Sequence, residues 1–278
     1  MNFGKLMRIE TPEEADVKFA ELKAAGYNSL QIIYKPEVYD VSTGAIVKAA
    51  AEKHGLVISA MFCGYYDTET VLDNYYGHLT CGINVDAFKL SRIQYVKEAA
   101  KWAAAAGIED VIIHAGWIPL SPWTHEYASM CASVRSVARF CQKLGLNLLL
   151  ETGQETPISL LRLIEDVGTG NVFVNLDPAN LMMYGCGNAV DAVDVFGKYV
   201  RNVHGKDGCV PTEPRKLGKE TVVGEGMVDF RAMLQKLKNL GYDRFITIER
   251  EAAVNDTQRQ LDAMHAKNYL EKIWNSLD

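Results

Sequence analysis

Nothing in this 278-residue sequence supplies a thiol redox or structural zinc signature: the six cysteines (Cys63, Cys81, Cys131, Cys141, Cys186 and Cys209) never form a C-x-x-C pair. In a chain of this size they read as reduced thiols of a cytoplasmic protein, behaving as small buried hydrophobes. No apolar run approaches the length needed to cross a bilayer. Met1–Glu10 is mixed in charge and lacks a basic start followed by an apolar stretch, so no signal peptide is expected. Basic residues are in deficit, 29 Lys and Arg against 35 Asp and Glu, a formal charge of −6. Nucleic-acid binders ordinarily present a basic face, so that class of partner is disfavoured. The 48% apolar and 23% charged fractions are ordinary for a soluble globular protein, and the charge says little about a small substrate.

What is present is a set of short apolar runs that stop on chemically active residues. Leu146-Asn147-Leu148-Leu149-Leu150 is too short for a helix and reads as a strand buried on both faces, yet it ends on Glu151. A carboxylate there needs a compensating partner, usually a cation. Downstream, Val172–Leu176 ends on Asp177, Val200–Val203 on His204, and Phe245–Ile248 on Glu249. Upstream, Val111–Ile113 ends on His114.

Helix ends repeat as well. Gly26, Gly55, Gly107, Gly145 and Gly241 each close a helical pattern and lead almost at once into a strand, the form expected of a glycine in the left-handed C′ position. Strands are predicted near 3–7, 28–33, 56–62, 110–114, 146–151, 171–177, 200–204 and 244–249. Helices are predicted over 12–25, 41–54, 90–106, 124–144, 156–166, 189–198, 229–240 and 256–276. Eight β-then-α units without a change in composition indicate an α/β fold, a single (β/α)8 TIM barrel domain spanning 1–278.

Several connections that follow strands are long: 63–89 with Tyr65 and Tyr66, 115–123 with Trp117 and Trp123, and 205–228 with Lys206. In a barrel these loops emerge at the C-terminal face, where active sites sit. Trp117 and Tyr65 or Tyr66 lie near their strand ends and are expected to touch a ligand. The loop 205–228 reads as a lid or as the contact of a homo-oligomer.

Glu151, Asp177, His204 and Glu249 would then ring the mouth of the barrel. Three carboxylates and one imidazole suit one divalent ion, Mn²⁺, Mg²⁺ or Co²⁺ first and Zn²⁺ also. Such a site leaves coordination positions for two adjacent sugar oxygens. The ion would polarise a carbonyl, and a nearby glutamate would take the proton beside it.

At these residues the chain resembles the sugar phosphate isomerase/epimerase group of the xylose isomerase-like barrels, alongside tagatose-3-epimerase-like and inosose-dehydratase-like enzymes. The resemblance rests on Leu149–Gly153, Asn175–Asn180, Val203–Asp207, Gly224–Phe230 and Thr247–Arg250. It implies a metal on Glu151, Asp177, His204 and Glu249, with Glu151 and Glu249 doubling as the acid/base pair. His114, Trp117, Asn180, Lys206, Tyr65 and Arg250 are the expected substrate contacts, and the substrate is a carbohydrate. Two positions depart from the keto-sugar 3-epimerases: Asn180 stands where they carry a histidine, and Lys206 follows His204 where they place an arginine.

A dehydratase or lyase of a keto-polyol would use the same residues. An endonuclease-IV-like repair enzyme shares the barrel but needs a three-metal cluster with more histidines than these six allow. A non-catalytic sugar-binding barrel would have no use for an intact four-ligand set.

Overall fold

Residues 1–278 are described by a computed structural model. The run Leu148-Leu149-Leu150 shows why the chain closes on itself. All three side chains are fully buried, although neighbours on a strand point to opposite faces. Leu148 and Leu150 belong to the large core between strands and helices. Leu149 instead joins Ala60 and Ile112 in a separate small cluster. A strand apolar on both sides needs helices outside and a closed lumen inside, which is the barrel solution.

Eight parallel strands complete it: β1 (Asn2–Met7), β2 (Ser29–Ile33), β3 (Val57–Phe62), β4 (Asp110–His114), β5 (Asn147–Glu151), β6 (Val172–Leu176), β7 (Val200–Gly205) and β8 (Phe245–Ile248). Each pairs with its sequence neighbours, and β1 joins both β2 and β8 to shut the ring. The outer layer comprises α1 (Ala15–Ala24), α2 (Gly44–His54), α3 (Lys89–Ala105), α4 (His125–Lys143), α5 (Pro157–Val167), α6 (Pro178–Met183), α7 (Ala189–Phe196), α8 (Phe230–Asn239) and α9 (Asp256–Asn275). The barrel architecture expected from the repeat is therefore the one observed. All five repeat glycines have positive φ, from 59° at Gly55 to 82° at Gly26. A side chain would be strained there, so these positions turn each helix back toward the sheet.

Two elements were not expected. The short helix α6 follows β6 with no loop, because Asp177 caps it by accepting from Asn180 N–H and Pro178 opens its first turn. The connection after β7 contains a two-residue antiparallel ribbon, Asp207–Gly208 against Glu220–Thr221. No cysteine is paired, and no helix is long and apolar enough to cross a membrane.

Strand alternation fixes what faces the lumen. With Leu149 inward, Glu151 two residues on is inward too. Register then sets the neighbours: His114 lies opposite Glu151, Glu151 opposite Asn175, and Thr247 opposite His204. The lumen is apolar around Ala60, Ile112 and Leu149 on β3–β5. Buried Ser29 and Gln31 bring polar groups in from β2, Asn175 from β6, Asn202 and His204 from β7, and Thr247 from β8.

Candidate metal centre

The ends of β5, β6, β7 and β8 bring Glu151, Asp177, His204 and Glu249 together, one donor atom of each lying within 4.8 Å of the others. His204 Nδ1 stands 2.7 Å from Glu249 Oε2, 3.0 Å from Glu151 Oε1 and 3.6 Å from Asp177 Oδ2. Its other nitrogen, Nε2, is 2.9 Å from Gln31 Oε1. All four ring residues are buried.

Glu151 Oε2, Asp177 Oδ2, His204 Nδ1 and Glu249 Oε2 are buried with no hydrogen-bond partner. Lone pairs converging at such separations repel unless a positive charge sits among them. Octahedral bonds of about 2.1 Å place adjacent ligand atoms roughly 3 Å apart, so the donor set fits a divalent ion. Without one, burial favours the neutral imidazole, but Glu249 and Glu151 outweigh it and raise the His204 pKa well above the usual histidine range. Burial likewise pushes the Glu151 carboxyl up. Burial also opposes ionisation of Asp177 and Glu249, yet Lys206 and His204 prevail and hold both below the ordinary carboxylate range.

The chain matches the xylose isomerase-like TIM barrel family over residues 19–272. It belongs to that family. A xylose isomerase domain protein from Planctomyces limnophilus has the same fold at TM-score 0.90 and 26% identity, over 99% of this chain and 98% of that one. The 3-keto-D-glucoside 4-epimerase of E. coli gives TM-score 0.70 at 17% identity, covering 98% and 99%. An inosose dehydratase of Lacticaseibacillus casei is 22% identical over 169 residues, 54% of this chain and 55% of its own.

In this xylose isomerase-like barrel the other expected contacts separate into two groups. Lys206 is buried at the ring, its Nζ 3.5 Å from Glu249 and 3.6 Å from Asp177, and it donates to Glu251 at 2.7 Å. His114 Nε2 is 3.6 Å from Glu151 Oε2 and half-buried. Trp117 stands edge-on to Tyr184, ring centroids 5.7 Å apart. The Tyr65 hydroxyl donates to the His114 carbonyl at 3.1 Å, under the Arg92 guanidinium.

Two further expected contacts are engaged within the protein. The Asn180 side-chain N–H donates to the Thr152 carbonyl at 3.1 Å, and its backbone packs so tightly on Gly153 that no Cβ fits there. Asn180 therefore ties the ends of β5 and β6 together. Arg250 is held by Glu220 at 2.6 Å and Asp262 at 2.8 Å, which anchors the ribbon to α9. The Gly224-Glu225-Gly226 turn is likewise occupied: the Asp207 carboxylate accepts from the N–H groups of Gly208, Gly224, Gly226 and Val228.

Sequence reasoning missed Gln31, Gln154 and Glu155. Gln154 Nε2 lies 3.4 Å from His114 Nδ1. Glu155 is 3% exposed, and neither of its oxygens has a partner. Burial, with the charge of Glu151 adding to it, pushes its carboxyl up to about 8. The available signal was a polar residue inside a buried strand for Gln31, and a second acid four residues beyond a ligand for Glu155.

Proposed function

We propose that this protein is a divalent-metal-dependent isomerase or epimerase that moves a proton beside the carbonyl of a keto-sugar or polyol-derived substrate. One observation carries the reading: four orphaned, buried donors converge at the C-terminal mouth of the barrel, two of them glutamates from β5 and β8. Glu151, Asp177, His204 and Glu249 would hold Mn²⁺, Mg²⁺ or Co²⁺, with Zn²⁺ also compatible. When bound, the ion polarises a substrate carbonyl and acidifies the adjacent C–H.

The chain supplies the proton movements. Glu151 and Glu249 are three strands apart along the wall, so they approach a ligand on the ring from different sides. One takes the carbon-bound proton. The other returns a proton at the opposite face, which epimerises the centre, or at the next carbon, which isomerises the sugar. The Lys206 ammonium lies beside both Asp177 and Glu249 and donates to the oxygen that gains charge. His114 offers a ring N–H to a hydroxyl near Glu151, and Trp117 with Tyr184 forms an aromatic wall. With the Asn180 amide bonded to the Thr152 carbonyl, C3 epimerisation of a keto-sugar stays within this reading.

The likeness to an inosose dehydratase favours a second reading on the same residues. Proton removal beside the carbonyl would be followed by loss of a β-hydroxyl, protonated as it departs as water. The test is a panel of keto-sugars and polyols incubated with chelator-stripped protein and Mn²⁺, Mg²⁺ or Co²⁺, with products identified by NMR. An isomer of unchanged formula supports the first reading and a dehydrated product the second. No turnover of any substrate with any ion would overturn both.

A further inference from the structure

Gln31 is a polar residue in a place that stability alone does not explain. It lies in the buried run Leu30-Gln31-Ile32 of β2 and is itself wholly inaccessible. Its Oε1 faces His204 Nε2 at 2.9 Å, whereas its Nε2 has no partner. A buried amide with one half orphaned costs on the order of 1–3 kcal/mol, and an apolar side chain of similar length would avoid that cost.

The geometry around His204 supplies the reason. The imidazole lies between two sets of groups, carboxylates on the Nδ1 side and amides on the Nε2 side. A neutral imidazole that presents the Nδ1 lone pair to a cation carries its proton on Nε2, and that N–H must be accepted. Gln31 Oε1 is the nearer acceptor. The Asn175 amide is 3.2 Å away with Nδ2 toward the ring and Oδ1 orphaned; turning that amide over would give Nε2–H a second acceptor and remove a clash of donors. Gln31 reaches His204 from β2, three strands away around the barrel wall.

We propose that Gln31 is a positioning residue that fixes His204 as an Nδ1 ligand by accepting its Nε2 proton across the lumen. The inference rests on the metal centre proposed above. Without the acceptor, the imidazole can place its proton on Nδ1 and donate to Glu249 or Glu151, and that arrangement competes with the ion.

The experiment uses full-length, chelator-stripped protein titrated with Mn²⁺, free ion being read by electron paramagnetic resonance, for wild type, Gln31→Met and Gln31→Glu. Gln31→Met is expected to bind Mn²⁺ about 10–100-fold more weakly, the usual cost of losing such an outer partner. Gln31→Glu retains an acceptor and should bind within about threefold of wild type. In Zn²⁺-loaded wild type, ¹⁵N-histidine NMR should place the His204 proton on Nε2. Gln31→Met binding within about twofold of wild type, Gln31→Glu as weak as Gln31→Met, or a proton on Nδ1 of the loaded protein would each overturn the role of Gln31. Wild type that binds no Mn²⁺ would instead overturn the metal centre and this inference with it.

Discussion

Thr152 and Asp177 clasp one another across the gap between two strand ends. The Thr152 hydroxyl donates to the Asp177 carbonyl at 2.7 Å and accepts the Asp177 N–H at 2.8 Å. Both residues are fully buried, so the pair sets the spacing of the β5 and β6 ligands. Thr152→Val keeps the shape and removes both bonds. It should cost about 1–3 kcal/mol of stability in urea unfolding, because an N–H and a C=O are left unsatisfied. It should also weaken Mn²⁺ binding, whereas Thr152→Ser should preserve both properties.

Glu155 predicts a pH dependence of stability. Its carboxyl is raised from an unfolded value near 4.5 to about 8 in the fold. Below the unfolded value both states hold the proton and nothing is lost. As pH rises toward 8 the unfolded chain ionises while the native one does not, so stability falls through that window. Glu155→Gln should therefore match wild type near pH 4.5 and exceed it at pH 8, by an amount on the order of a few kcal/mol at 1.36 kcal/mol per unit. Unfolding midpoints across that range check it, and a constant difference would contradict it.

Turnover in D₂O should place solvent deuterium on a product carbon, since proton transfer through Glu151 and Glu249 exchanges with water. Glu151→Gln and Glu249→Gln should each lower the rate by about 10²–10⁴-fold, with far-UV circular dichroism unchanged. Deuterium-free product from an active wild-type enzyme would favour hydride shift and leave both glutamates as ligands only.

Removing divalent ions should lower the melting temperature, because three buried carboxylates then rely on His204, Lys206 and the more distant His114. Adding Mn²⁺ at a hundredfold over its dissociation constant should return about 2.7 kcal/mol. Calorimetry with chelator and then with added ion measures this, and identical melting curves would count against a cation in the ring.

Asp207 holds the connection after β7 through four backbone N–H groups, a closed arrangement that leaves no room for a Cβ at Gly226. Asp207→Ala should free that connection, and limited proteolysis should then cut within 209–219 faster than in wild type. Lys216→Ala, which removes only an exposed pair with Glu213, should not change the cutting rate.

The sequence by itself determined the barrel and the residues at its mouth, because both are written in short-range patterns. A glycine after each helix shows where the chain must take positive φ, and a run such as Leu148-Leu149-Leu150 shows a strand covered on both sides. Ending such a run on Glu151 puts a carboxylate at the carboxyl end of that strand whatever surrounds it. Only the tertiary structure decided how side chains three strands apart meet. Barrel closure and register carry Gln31 to His204, and the loop after β5 folds Glu155 inward with no partner. Asn180 and Arg250 look equally available in the sequence, since each sits close to a ligand residue. Their hydrogen bonds to the Thr152 carbonyl and to Glu220 and Asp262 connect segments far apart in the chain, and local spacing carries no record of such partners.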